Sequence, residues 1–505
     1  MTDAKHGTQR RALLRNGLFG MAAAAAGGAA MAAPGAAVKK DAGAEEYDIV
    51  IVGTGCAGLS AAIEAADIGA KVIVLEKMPV PMGNTIYAGG NFNAAGTWVQ
   101  ARDGIKDDVE SFYKDMVKVS MNRCDMDLMR MFCDESAGVI RWLTDRCGIQ
   151  WKPLDYQIAP MLGRCHEVTG KVQPGGSQLT IQMLAEVKKL GVPVHYGEKV
   201  IELTHDEALR CTGVSTLDSK GVRRTYRARG GVVLCTGGFH NNKDMLTRYM
   251  GGSVAWMPLR GSVCCTGENV TLTAPFFPNY VNMDQFHAGP IHAKTRANPS
   301  NMVNFGICVT PEGERYIDEG QTYVFIAQNT PRRIPENRAF IILDSRVRKE
   351  PIVDLRFKRY EKAKAPIYKA DTIEALAREA GLPPEKLART VKEFNEACRK
   401  GTQTKLAVAV PSTMEKPRTI EEGPFYAFEF SGGMTATFGG PKINRKAEVL
   451  NLEGRPVPGL YAARNAIGGL FYDNYLDGSQ LTAAVIWGRV AAHEALARAK
   501  AGTAA

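Results

Sequence analysis

The chain has 505 residues, 45% of them hydrophobic and 23% charged, with 52 Gly and 25 Pro. This composition excludes collagen-like, disordered and coiled-coil chains and suits a large glycine-rich α/β enzyme of about two to four folding units. Its 63 Lys and Arg against 53 Asp and Glu give a net charge of +10, which leaves nucleic acid, membrane and anionic partners open until the charge is placed.

The first element is read as a removable leader. Residues 1–37 carry the adjacent Arg10 and Arg11, then an Ala/Gly/Leu stretch, then small residues suited to cleavage. The pattern predicts a twin-arginine export signal, too short and too weakly apolar to span a membrane. Cleavage after Ala33 would remove Lys5, Arg10, Arg11 and Arg15 together with Asp3, leaving +7. Export in the folded state implies a periplasmic destination and a cofactor bound beforehand. The 11 Cys are scattered with no CxxC or CxxCH, so no zinc, iron–sulfur or covalent haem site is signalled.

Tyr47 to Lys77 follows, with an apolar run at Ile49–Val52, an Ala-rich helix pattern over Leu59–Ile68 and a second run at Val72–Leu75. Gly53, Gly55 and Gly58 form GxGxxG between strand and helix, and Glu76 stands about 20 residues further on. Gly53 suits the tight turn, Gly55 the approach of a pyrophosphate and Gly58 close helix–strand packing. The phosphates would sit on the helix N-terminus beside Cys56 and Ala57, with Glu76 and Lys77 at the ribose. The Gly/Asn/Ala loop Pro81–Gly96, with Asn84, Thr85, Gly89 and Gly90, and the turn at Thr236, Gly237 and Gly238 are expected to complete the enclosure. So are Asn465, Ser479 and Leu481 near the end. Closure of a first half-site by segments hundreds of residues away predicts FAD rather than NAD alone.

Several separated motifs, VGTGCAGLSAA, GNTIYAGG, CTGGF, GERYIDE, FGGPKIN and VPGLYAARN, resemble the soluble fumarate reductase flavoprotein family. That family also contains urocanate reductases, 3-ketosteroid dehydrogenases and tricarballylate dehydrogenases. The resemblance runs from about Tyr47 to Ala492. It implies an α/β fold, a Rossmann-like FAD-binding domain interrupted by an α+β capping domain. The expected boundaries are 38–245 for the first part of the FAD domain, 246–376 for the cap and 377–505 for the second part. Asn84, Thr85, Ile86 and Tyr87 stand where covalently flavinylated relatives carry a His, so the FAD is expected to be non-covalent.

The resemblance also shows where this chain departs. The family's proton-donating Arg corresponds to Tyr323 and its carboxylate-clamping Arg to Tyr475. Its paired His correspond to Thr435 and Ala436, a third His to Gly289, and the Glu and Arg of the proton relay to Pro299 and Met302. Losing both arginines removes the fork that holds a carboxylate, so fumarate itself is not the expected substrate. Two tyrosines at these places resemble 3-ketosteroid dehydrogenases. A phenol can exchange the proton beside the hydride-accepting carbon, and a second can hydrogen-bond the activating carbonyl. The segment FYDNYLDGSQL instead resembles tricarballylate dehydrogenases, which take an anionic substrate.

Tyr323, Tyr475 and His287 are therefore the catalytic candidates, with hydrogen-bonded packing as the competing role for His287. Arg164, His166, Tyr472 and Arg296 are candidate substrate contacts, although Arg164 and Arg296 also suit exposed loops. Leu376–Lys400 reads as two helices returning the chain to the FAD domain, and Leu481–Ala497 as an amphipathic helix. The basic runs lack aromatic interleaving, so nucleic acid is not expected.

The expected activity is reduction of an activated C=C bond in a small enoate or enone, with FAD as hydride donor and Tyr323 as proton donor. Electrons would come from a separate c-type cytochrome, a flavin-carrying protein or a membrane quinone module. A dehydrogenase of a ketosteroid-like or polycarboxylate substrate and a non-catalytic flavin-binding electron carrier remain the alternatives.

Overall fold

An unbroken apolar run such as Ile49–Val52 fits a strand covered on both faces. In the computed structural model, which describes residues 39–40, 44–152, 154, 163–401 and 418–503, it forms the inner half of the strand Glu45–Val52. Val72–Glu76 pairs with it in parallel on one side and Val222–Leu234 on the other. Val194–Tyr196 extends the sheet beyond the first neighbour and Pro456–Ala462 beyond the second, both in parallel. Strand order thus reverses direction at Glu45–Val52. In open parallel sheets, ligands bind beyond the strand ends at such a point.

The helix Cys56–Asp67 covers one face of this sheet, alongside Ser479–Thr503. The expected amphipathic helix Leu481–Ala497 starts earlier, at Ser479, and Leu481–Gly488 is buried all round. A polar face opens only at Arg489, where Glu64 accepts hydrogen bonds from Arg489 and His493.

The cap is an antiparallel sheet in the order Phe286–Ile291, Phe425–Thr437, Ala339–Leu343, Ile307–Val309, with Tyr368–Ala370 also paired to the long strand. Side-chain alternation along Ala339–Leu343 builds two cores. Ala339, Ile341 and Leu343 face Val353, Phe357 and Tyr360 of the helix Pro351–Lys362. Phe340 and Ile342 face Leu376, Ala377, Leu387 and Phe394 of the helices Ile373–Ala380 and Pro384–Arg399.

The expected cap boundary at 376 cuts through this second core. The two helices stay on the cap, and the chain rejoins the FAD-binding sheet only after Thr437. Apolar periodicity predicted the helices but carried no information on which sheet they cover. The export signal expected in residues 1–37 lies outside the described residues.

Candidate active site

A cavity of about 970 Å³ opens at the strand ends, between the parallel sheet and the cap. Its nucleotide end is shaped by backbone. Gly53 has φ +110°, and a Cβ there would lie 2.5 Å from the Cys235 carbonyl oxygen on the neighbouring strand. A Cβ on Gly58 would lie 1.9 Å from the Gly53 carbonyl oxygen, so Gly58 serves packing and does not itself line the cavity. Gly55, Cys56 and Ala57 present the helix N-terminus to the cavity, with no acidic residue in the first turn. That leaves positive dipole and N–H groups for a diphosphate.

Glu76 accepts from the Thr54 N–H (3.0 Å) and hydroxyl (2.6 Å) and from the Met78 N–H (3.0 Å), which fixes its carboxylate at the cavity wall. Lys77 lines the wall too, paired to Glu268 at 2.5 Å. Burial works to raise Glu268, but the Lys77 charge and hydrogen bond hold it below the usual carboxylate range.

Thr85 accepts the Cys56 N–H at 2.9 Å and buttresses the turn. Asn84 joins the two domains, donating to the Thr435 carbonyl (2.9 Å) and accepting from the Ser262 N–H (2.5 Å). Gly89, Thr236, Gly237, Asn465 and Leu481 line the cavity.

Gly90, Gly238 and Ser479 do not reach it. A Cβ on Gly90 would meet Gly175 Cα at 2.8 Å and one on Gly238 would meet Thr437 Oγ1 at 2.1 Å, so both are packing glycines. Ser479 donates its hydroxyl to the Leu476 carbonyl at 2.7 Å. Arg464 turns its guanidinium onto Phe471, 4.8 Å from the ring centroid, and donates to the Ile467 carbonyl. Burial lowers its pKa to about 9, against an opposing pull from Tyr475. Its Nε and Nη2 have no partner among the described residues.

At the cap end the three catalytic candidates meet. The His287 ring lies 4.9 Å from Tyr475 and 6.3 Å from Tyr323, centroid to centroid, and all three line the cavity. Burial, helped by the nearby Arg260, lowers the His287 pKa to about 3, so the ring is neutral at pH 7. Burial raises the Tyr475 phenol well above its usual value, and its ring stacks on Phe471 at 5.2 Å.

Local bonds explain the convergence. The Thr322 hydroxyl accepts from Phe325 N–H, capping the helix Tyr323–Arg333, and also accepts from Asn474 Nδ2 at 3.0 Å. Asn474 Oδ1 in turn accepts from the Tyr475 N–H at 2.8 Å. Gln328 donates to the carbonyls of Phe286 (2.6 Å) and Asp473 (2.7 Å), tying this loop to the His287 strand. Behind Tyr323, Glu319 and Arg315 form an ion pair with both side chains fully buried.

Three of the expected substrate contacts lie elsewhere. Arg164 is buried and paired to Asp107 at 2.7 Å and Asp115 at 2.5 Å. His166 is buried against Thr97 Oγ1 (2.7 Å) and the Arg164 carbonyl (2.8 Å), and burial lowers its pKa to about 4. Tyr472 lies under the Arg123 guanidinium, 4.0 Å from its ring centroid, and is absent from the cavity wall. Arg296 does line the cavity, with its guanidinium turned toward the Leu259 carbonyl.

Sequence reasoning missed Arg260, Arg356 and Arg359, which line the cap side. Ile352, Leu355, Arg356 and Arg359 share one helix face at spacings of three and four, a signal that was readable. Arg260 offers no comparable local pattern.

The FAD binding domain family matches residues 48–480. The chain belongs to this family, and it binds FAD. The donor set fits that cofactor, with the open helix N-terminus, the fixed Glu76 carboxylate and the unpaired Arg464 nitrogens spread along one long cavity. Over 466 residues the chain is 31% identical to the NADH:fumarate oxidoreductase of Klebsiella pneumoniae (strain 342), covering 91% of this chain but 48% of that protein. It is 29% identical to the vinyl phenol reductase of Lactiplantibacillus plantarum, covering 85% and 92% respectively. Among solved structures, the open conformation of a flavocytochrome c3 fumarate reductase matches with a TM-score of 0.76 at 27% identity, over 90% of this chain and 79% of that one. A 3-ketosteroid-Δ4-(5α)-dehydrogenase from Rhodococcus jostii RHA1 matches at 0.71 and 26%, over 91% and 98%.

Proposed function

We propose that this FAD-dependent oxidoreductase reduces the activated C=C bond of a small enoate or enone, with Tyr323 as proton donor. The observation that carries the reading is the meeting of Tyr323, Tyr475 and His287 on the cavity wall facing the strand ends. When bound and reduced, FAD supplies the hydride. The protein's part is to hold the alkene and to deliver one proton to the neighbouring carbon, so that hydride plus proton saturate the bond. Tyr323 stands at the first turn of its helix, where helix N–H groups and dipole stabilise the phenolate left behind. Neutral His287 and the Tyr475 phenol are placed to hydrogen-bond a substrate oxygen as negative charge builds on it. The Tyr475 ring packs against Phe438 and Phe471, which fixes its orientation in the wall.

Two further parts belong to this proposal. FAD is held without a covalent bond, since Asn84, Thr85, Ile86 and Tyr87 offer no His at that loop. The protein works in the periplasm after twin-arginine export, taking electrons from a separate c-type cytochrome, a flavin-carrying protein or a membrane quinone module. Relatives described as a cytochrome-linked fumarate reductase and an acrylate reductase flavoprotein subunit support the electron-partner reading.

Anaerobic mixing of the reduced holoprotein with a panel of unsaturated acids and enones tests the function. Reoxidation of the flavin with stoichiometric saturated product is expected. Reduction of the oxidised flavin by saturated compounds, with no reoxidation by any alkene, would overturn it in favour of a dehydrogenase.

A further inference from the structure

We propose that Arg260, which lies outside every motif of the sequence, receives the carboxylate of the substrate. The compound reduced is then an unsaturated acid rather than an enone or ester. The inference rests on the reductase reading above and narrows it.

The Arg260 backbone is fixed by its N–H to the Met434 carbonyl at 2.7 Å, and its guanidinium Nη1 donates to Thr435 Oγ1 at 3.0 Å. The guanidinium lies over Gly289, where a Cβ would stand 2.6 Å from Nη1 and 2.7 Å from Cζ. Residue 289 must therefore lack a side chain for Arg260 to occupy this place. Arg260 lines the cavity and is near enough to His287 and Tyr475 for its charge to act on both. A carboxylate on this guanidinium would sit beside the ring cluster that holds Tyr323.

Charge around the guanidinium points the same way. Among the described residues no carboxylate lies within ion-pair distance of Arg260. Asp477, the acid on which its field acts, is instead hydrogen-bonded to Asn91 Nδ2 at 3.2 Å. Arg359 feels the Arg260 charge as repulsion, and Arg296 and Arg356 line the same wall. The acids that line the cavity, Glu76, Glu167, Glu198, Glu268 and Asp477, do not come from the cap strands or the helix Pro351–Lys362. Arg260 and Arg359 repel each other across this wall, and an anionic guest on Arg260 relieves that cost. A planar guanidinium with free N–H groups matches a carboxylate in geometry as well as charge. It would also stabilise the extra charge that reaches the carboxylate oxygens as hydride arrives at the far carbon of the conjugated bond.

The test uses the holoprotein with matched pairs of acid and methyl ester. Butyrate and 3-phenylpropanoate report binding through the oxidised flavin spectrum, and crotonate and cinnamate report turnover by reoxidation of the reduced flavin. Arg260→Met should weaken binding of the acids about 30-fold or more, the scale of a lost charge-assisted pair, and change the esters by less than about twofold. Flavin content should be unchanged. Gly289→Ala should weaken the acids in the same direction by displacing the guanidinium, which keeps the test open if the first variant folds poorly. Equal affinity for acid and ester in the wild type, or acid binding untouched in both variants, overturns the proposal. Reoxidation by acids and esters alike removes the role of Arg260 and leaves the reductase reading standing. Arg260-dependent acid binding without reoxidation by any alkene does the reverse.

Discussion

At its nucleotide end the cavity is walled by backbone and short side chains: Gly53, Gly55, Ala57, Thr236 and Gly237, with Glu76 as the fixed acid. At its cap end it is walled by long side chains, Arg260, Arg296, Arg356, Arg359, Tyr323 and Tyr475. The first end binds through helix N–H groups and has no room for a Cβ at Gly53, which would stand 2.5 Å from the Cys235 carbonyl oxygen. The second end is set by side-chain identity, so a substitution there can change the substrate without disturbing the cofactor. Substitutions at the cap end should therefore alter turnover while flavin stays bound.

Tyr323→Phe is the sharpest of these. It should lower kcat about a thousandfold, the scale of a lost general acid, with flavin content and fold intact. Steady-state rates alongside the flavin-to-protein absorbance ratio check both halves. Next in size is the buried pair behind it. Arg315→Met strips the buried Glu319 of its guanidinium partner, and should cost about 3 kcal/mol of stability in a denaturant melt.

The buried histidines give an effect of acid pH on stability. Burial lowers His166 and His240 to about 4 and His287 to about 3. An unfolded histidine titrates near 6.5, so between these values the unfolded chain binds more protons than the native one. Their contribution is fully present above about pH 6.5 and declines as pH falls toward 4, by about 1.4 kcal/mol per pH unit for each histidine. Melts across that range should show the slope, and His166→Gln should remove one histidine's share. The smallest expected effect is that of Asn474→Ala. It removes the bond to Thr322 that joins the two tyrosine segments, and should cost about 1 kcal/mol of transition-state stabilisation in kcat/KM.

The sequence was most legible where function depends on the backbone. GxGxxG with its spaced Glu76 marks a local strand–turn–helix, and the structure places Gly53, Gly55 and Glu76 on the cavity wall. Tyr323 and Tyr475 were singled out by their places in family motifs and His287 by its place two residues before Gly289, and all three lie on the cavity wall. Arg260 was not, because its place depends on Gly289 and Thr435, distant in sequence and brought to it only by the cap sheet. Arg164 and His166 misled for the same reason, as their partners Asp107, Asp115 and Thr97 are 49 to 69 residues away. The cap boundary was misplaced because pairing between Ala339–Leu343 and Phe425–Thr437 leaves no local signal in either strand.

The most direct test of the proton-donor role is rapid anaerobic mixing of the reduced holoprotein with an unsaturated acid in D2O. Flavin absorbance would be followed in time and the product weighed by mass spectrometry. The wild type should reoxidise with a solvent isotope effect and place one solvent deuteron on the carbon beside the carboxylate. Tyr323→Phe should bind the acid, shown by the flavin spectrum, and remain reduced. Reoxidation of Tyr323→Phe at the wild-type rate, with the same deuteron in the product, would contradict the account.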